Sequence, residues 1–204
     1  MRRLLLATAA ALAGCVPVPM PASSTLEHRA DSRVAPLASG ETVAFLDTHC
    51  PVEGFREALP GVRVLDEQQA SDRLFPWLEP DVRPHDRQAL EAFLENPSAA
   101  RALAEEPLRY LVMIESETSQ TSFGDEGLAV GMAGWVASDR LSARLVDLQR
   151  REVLDGAVAS GKGPTGYAHL MIYGVVYFSD PQAAACTRLI EELARALGPV
   201  AGPG

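Results

Sequence analysis

The sequence predicts an α+β fold built on a single mixed β-sheet, and three observations carry that reading. Continuous apolar runs at 42–46 and 110–114 have the character of strands covered on both faces. Between residues 42 and 75 strand-like and helix-like segments alternate, a strand–helix–strand–helix opening that implies parallel neighbours joined by right-handed crossovers. Near the end of the chain, 181–197 repeats apolar residues with the period of an amphipathic helix that should pack on the sheet.

Each element follows from local chemistry. After the first strand, Pro51 suits a first helical turn, and Val52, Phe55 and Leu59 share one face. Pro60-Gly61 turns the chain into a second strand at 62–65. Asp66 with Gln69 three residues on forms a capping box for the next helix, which runs to about Phe75. Pro76, Pro80 and Pro84 make a rigid loop around Trp77, followed by a helix with Leu90, Phe93 and Leu94 inside. Ser98 caps a shorter helix that ends before Pro107. The strand at 110–114 leads to 115–126, which is polar and is expected to be a long mobile loop. Leu128, Val130 and Met132 then alternate with small residues toward Trp135. The segments 141–148 and 153–160 read as antiparallel hairpin partners across a polar turn. Asp180 caps the last helix, Pro181 opens it and Gly198-Pro199 stops it. Cys186, Leu189, Ile190, Leu193 and Leu197 form its inner stripe.

Charge excludes some partners. The chain carries 27 acidic and 18 basic residues, a net charge of −9. Such a surface repels nucleic acid phosphates, so no nucleic acid partner is expected. No Cys-x-x-Cys or His-x-x-x-His spacing occurs, so no metal site is expected.

Two phosphate-loop patterns fail on context. Residues 156–162 match Gly-x-x-x-x-Gly-Lys, but Gly163 stands where a serine or threonine is needed for magnesium. Residues 161–166 match Gly-x-Gly-x-x-Gly, yet the residues that follow are aromatic and β-branched rather than a helix that could present its amide groups. The four histidines, His28, His49, His85 and His169, show no ligand spacing. Glu115 and Glu117 read as solvated acids, and no Gly-x-Ser-x-Gly elbow occurs. No catalytic residue and no cofactor is assigned. The segment 167–178 is unusual for its density of large apolar residues. It is either a core strand or a partly exposed contact surface formed by Tyr167, Met171, Tyr173, Val175, Tyr177 and Phe178.

The amino terminus carries an address. Arg2 and Arg3 precede an apolar run at 4–12, which is too short to span a bilayer and is built like a secretory signal peptide. Leu12-Ala13-Gly14-Cys15 resembles the lipobox of bacterial lipoproteins. The resemblance implies cleavage after residue 14, with Cys15 alkylated by diacylglycerol and its new amino group acylated, palmitate being a typical chain. Because Val16 is not aspartate, the resemblance further implies the outer membrane, facing the periplasm. Loss of Arg2 and Arg3 would take the net charge to about −11. Residues 15–40, with prolines at 17, 19, 21 and 36, are expected to be a disordered tether. They precede one domain at 41–198 and a flexible tail at 199–204.

With Cys15 acylated, Cys50 and Cys186 remain as an even pair in an oxidising compartment. Placed at the entrance of the first helix and on the inner stripe of the last, they are expected to form a disulfide; two buried free thiols are the alternative.

The order of elements also resembles a group of bacterial envelope proteins. It includes the curli-secretion channel lipoprotein, the lipoprotein activator of a peptidoglycan synthase and the amino-terminal domain of the Tol translocation protein. The strand at 43–46, the hairpin 141–148 with 153–161 and the helix 181–197 carry the likeness. It implies a non-enzymatic periplasmic contact module that works against an envelope protein partner. A periplasmic hydrolase with a site assembled through space is the alternative.

Replacing the lipobox cysteine, Cys15→Ser, should leave a larger precursor that no longer incorporates labelled palmitate. Unchanged size and labelling would refute the lipobox.

Overall fold

The structure, a computed structural model, describes residues 15–47, 49–74, 87–97, 108–126, 130–170 and 173–198. Residues 1–14, the expected proline-rich loop with Trp77 and His85, the helix expected after Ser98, Met171 and the expected tail at 199–204 lie outside the described residues.

Eight strands form one mixed sheet. They are β1 (Cys15–Pro19), β2 (Ser23–His28), β3 (Thr42–Asp47), β4 (Arg63–Leu65), β5 (Leu108–Glu126), β6 (Val130–Asp147), β7 (Glu152–Leu170) and β8 (Tyr173–Phe178). The helices are α1 (Val52–Ala58), α2 (Glu67–Leu74), α3 (Arg87–Glu95) and α4 (Pro181–Leu197). Strand order is β1-β8-β7-β6-β5-β3-β4, with β2 paired to β7. β3 runs parallel to β4 and β5, β1 runs parallel to β8, and β7 pairs antiparallel with β8. Sheet outweighs helix by more than the expected α+β balance. The polar stretch 115–126, expected as a loop, continues β5 instead. Its threonines suit strands, and the Thr118 hydroxyl donates to the buried Asp139 carboxylate at 2.5 Å.

The chain divides into two compact units. The first comprises Met1–Thr25, Glu117–Arg140 and Ser160–Ala185; the second comprises Leu26–Ser116, Leu141–Ala159 and Cys186–Gly204. In the second unit β3 is buried along residues 42–46. Alternation sends Ala44 and Leu46 to a cluster with Leu65, Ala70, Leu111 and Met113. Phe45 meets the Phe55 ring of α1, with centroids 4.3 Å apart. The capping box forms: Gln69 N–H donates to Asp66 Oδ1 at 2.9 Å, and Asp66 N–H to Gln69 Oε1 at 3.3 Å. The hairpin turn between β6 and β7 is organised by Asp147, which is fully buried. Its Oδ1 accepts the Gln149 and Arg150 amides at 3.0 Å each, and its Oδ2 accepts Arg109 Nη2 at 3.0 Å.

The last helix follows its sequence. Asp180 Oδ1 accepts the Ala183 amide at 2.8 Å, and Cys186, Leu189, Leu193 and Leu197 are buried. Cys50 and Cys186 are joined by a disulfide with Cα atoms 5.5 Å apart. Nearby, a Cβ at Gly54 would lie 2.7 Å from Ile190 Cδ1, the terminal methyl of that side chain, so α1 and α4 approach closely here.

Residues 15–40 are not the expected tether. β1 and β2 are paired in the sheet, Val34 and Leu37 are buried, and Leu37 N–H donates to Leu197 O at 2.9 Å. The Ala35 amide donates to the Tyr110 hydroxyl at 2.8 Å, and that hydroxyl donates to Ala35 O at 3.1 Å. On α4, buried Glu192 pairs with Arg195 and also accepts the Ala30 amide, and the Arg195 guanidinium holds its carboxyl below the ordinary range. The prolines that seemed to forbid structure occupy alternate positions. Met20 N–H donates to Phe178 O at 2.7 Å, so even-numbered residues of β1 bond β8 while Pro17 and Pro19 face away, where no donor is needed.

Leu37→Ala should lower unfolding free energy by about 2–4 kcal/mol in a denaturant titration, since it empties a buried site. A tether residue would show no change.

Candidate functional site

Exposed apolar area is concentrated in the first unit. The eight large hydrophobic residues exposed among the described residues are Val16, Met20, Met132, Trp135, Tyr167, Val175, Val176 and Phe178, and all eight belong to it. Single exposed hydrophobics are ordinary; a contiguous set on paired strands marks a contact surface.

Register assigns five of these residues, Val16, Tyr167, Val175, Val176 and Phe178, to two faces. β1 and β8 pair as Val16↔Val175, Pro17↔Val176, Val18↔Tyr177 and Pro19↔Phe178. β7 adds Tyr167↔Val176 and Ala168↔Val175. Cross-strand partners share a face and successive residues alternate. One face therefore carries Pro17, Pro19, Tyr167, Val176 and Phe178, the last three being 43%, 42% and 47% exposed. The Tyr167 ring stacks near His169, with centroids 6.1 Å apart. The opposite face carries Val16 and Val175 side by side, 58% and 38% exposed, with Val18 and Tyr177 further along. Neither β1 nor β8 contains a charged residue.

Four of the expected surface residues can be sorted. Tyr167, Val175 and Phe178 are exposed. Tyr177 is only 9% exposed and its hydroxyl donates toward Ala133 O at 3.5 Å, so it belongs to the packing rather than to the surface. Tyr173 pairs with Leu170 in the ladder, and Met171 is outside the described residues. The segment thus holds both exposed and buried residues, and Val175 and Tyr177, exposed and buried on one face, show that position along the strand decides as well as side. Sequence reasoning missed Val16, Met20, Met132 and Trp135 as surface residues. The Val-Pro-Val-Pro alternation at 16–19 was a strand signal hidden by its prolines.

Cys15, the expected lipidation site, is the first residue of β1 and pairs with Gly174. The glycine-rich stretch 161–166 lies within β7, and the chain continues after it as strand rather than as a helix. A Cβ at Gly161 would run into the Pro181 carbonyl, and one at Gly166 into the Ala133 carbonyl and Gly134, so close packing explains these glycines. Glu115 is half-buried, and exposed Glu117 faces Arg140 at 3.5 Å. No group of three or more His, Cys, Asp or Glu residues with metal-holding geometry occurs among the described residues. No described helix is long and apolar enough to cross a membrane.

Two serine substitutions in β8 separate surface from packing. Phe178→Ser should change stability by less than about 1 kcal/mol. Tyr177→Ser should cost about 2 kcal/mol or more, because it empties a buried aromatic site. Thermal or denaturant unfolding of both variants checks this.

No family model matches the chain, and no curated protein matches it. Solved structures similar to it include the L103M PelC dodecamer from Paraburkholderia phytofirmans, at TM-score 0.38 and 14% identity, covering 86% of this chain and 100% of that one. The PelC dodecamer of the same organism in another space group gives TM-score 0.33 and 13% identity, covering 86% and 97%. A Helicobacter pylori protein described as a neuraminyllactose-binding hemagglutinin homolog gives TM-score 0.32 and 8% identity, covering 81% and 85%. Scores this low establish no shared fold and carry no function over to this chain.

Proposed function

We propose that this protein is a non-enzymatic lipoprotein of the outer membrane, anchored through Cys15 and facing the periplasm, that acts as a contact module for an envelope protein. The observation that supports this reading most is the concentration of exposed apolar residues in the unit that contains the lipobox cysteine. The disulfide between Cys50 and Cys186 supports an oxidising compartment.

Val16 and Val175 are the residues we assign to the protein partner, because they are adjacent across the β1–β8 pair and both are exposed. Fully burying a valine stabilises a contact by about 1.5–3 kcal/mol. Two such residues make a weak interface by themselves. A lipid anchor compensates, since confinement to one membrane raises the effective concentration of any partner held there.

Photocrosslinking in intact cells tests the reading. A benzoylphenylalanine placed at Val175 should give a discrete crosslinked protein, one placed at Arg188 on the outer face of α4 should not, and Cys15→Ser should abolish the product. Equal crosslinking from both positions would reject the contact site. Labelling of a serine by a fluorophosphonate probe would reject the non-enzymatic half of the reading.

A further inference from the structure

The face of β1, β8 and β7 that carries Pro17, Pro19, Tyr167, Val176 and Phe178 is open among the described residues, its three large side chains remaining over 40% exposed. We propose that this face is a membrane seat: it lies in the lipid interface beside the acyl chains of Cys15 and fixes the orientation of the sheet on the bilayer. The inference rests on the lipid-anchor reading.

Three observations favour lipid over protein as the occupant. The first is distance. No tether separates the anchor from the sheet, because β1 begins at Cys15 itself and is paired with β8 from that residue onward. At about 3.3 Å per residue, Pro19 is about 13 Å along the strand from the acylated residue. An apolar face that penetrates an interface does so by about 5–10 Å, so the face is within reach of lipid in every orientation that lays β1 near the surface.

The second is charge. β1 and β8 carry no ionisable carboxylate or ammonium, although the chain as a whole has a net charge of −9. An acidic protein is repelled by anionic headgroups, and a face whose β1 and β8 residues are uncharged, with His169 of β7 beside Tyr167, is where it can approach them at least cost. Tyrosine and phenylalanine suit the boundary, where an aromatic ring meets acyl chains and a hydroxyl reaches water.

The third is the edge. β1 ends the strand order, and an open edge is the usual place for another protein to add a strand. Here Pro17 and Pro19 remove the outward donors, so strand addition at this edge lacks the hydrogen bonds that would hold it.

Fluorescence quenching from lipid tests the seat. The acylated chain is reconstituted into phosphatidylcholine vesicles whose acyl chains are brominated, and tryptophan is introduced as Phe178→Trp or, on the opposite face of the same strand, as Val175→Trp. Emission of the parent protein is subtracted to remove Trp77 and Trp135. Phe178→Trp should lose at least about half of its added emission relative to unbrominated vesicles, and Val175→Trp should lose little. Equal quenching of both, or of neither, would overturn the seat. Concentration-dependent dimer formation that shields Phe178→Trp from the lipid would also overturn it, by making a second copy the occupant. The intact mass of the same sample separates the two readings. Acyl mass present with no quenching removes the seat alone, whereas absent acyl mass removes the anchor on which the seat rests.

Discussion

A strand buried on both faces constrains the second unit more than any other feature. β3 exposes almost nothing from Thr42 to Leu46, so both sides of the sheet at this point must be covered. Ala44 and Leu46 are covered with Leu65 and Ala70, which explains why a second parallel strand and a capped helix follow within two dozen residues. Phe45 is covered by Phe55 of α1 on the other side. That helix is in turn drawn against α4 by the Cys50–Cys186 bond and by the missing side chain at Gly54. In the chain-entropy account a crosslink over this separation restricts the unfolded state strongly, by up to about 5 kcal/mol, with native strain subtracting from it.

The first unit is built on different terms. Its strands hold few charged residues and leave eight large apolar side chains at the surface. Exposing them forgoes about 25 cal/mol for each Å² that burial would remove from water, so their clustering needs a reason. The proposed contacts with a protein partner and with lipid supply one, the two sides of the β1–β8 pair offering different surfaces. One is a compact valine pair, and the other a broader face of proline, valine and aromatic residues. A sheet can serve two partners in this way because its side chains alternate, whereas a helix of the same length would present one stripe.

Glycine illustrates how one residue type carries different meanings. The spacing at 156–166 imitates phosphate-binding loops, which use glycine so that backbone amides can approach an anion. In β7 the same spacing lets the strand pass close to Pro181, Ser179 and Gly134, and no helix follows to supply a dipole. Context decides between these uses, as the rejection of both motifs on their flanking residues already implied.

Much of the second unit and the start of α4 were legible in the sequence alone. Local rules sufficed for the capping box at Asp66 and Gln69, the Asp180 cap, the inner stripe of α4 and the doubly covered strand at 42–46. The disulfide followed from counting cysteines and from two helices meeting. The site was half legible: the apolar density at 167–178 was visible, but not which of its residues faced outward, since Tyr177 and Phe178 look alike until a ladder assigns their sides. Only the tertiary structure decided that residues 15–40 are paired and packed, because the partners that satisfy β1 and Leu37 come from Phe178 and Leu197, more than 150 residues away. Helix signals are local and repeat within a few residues, so a sequence displays them. Whether a proline-rich or polar segment becomes an edge strand depends on a donor and acceptor row supplied by distant chain, and that row exists only once the sheet has formed.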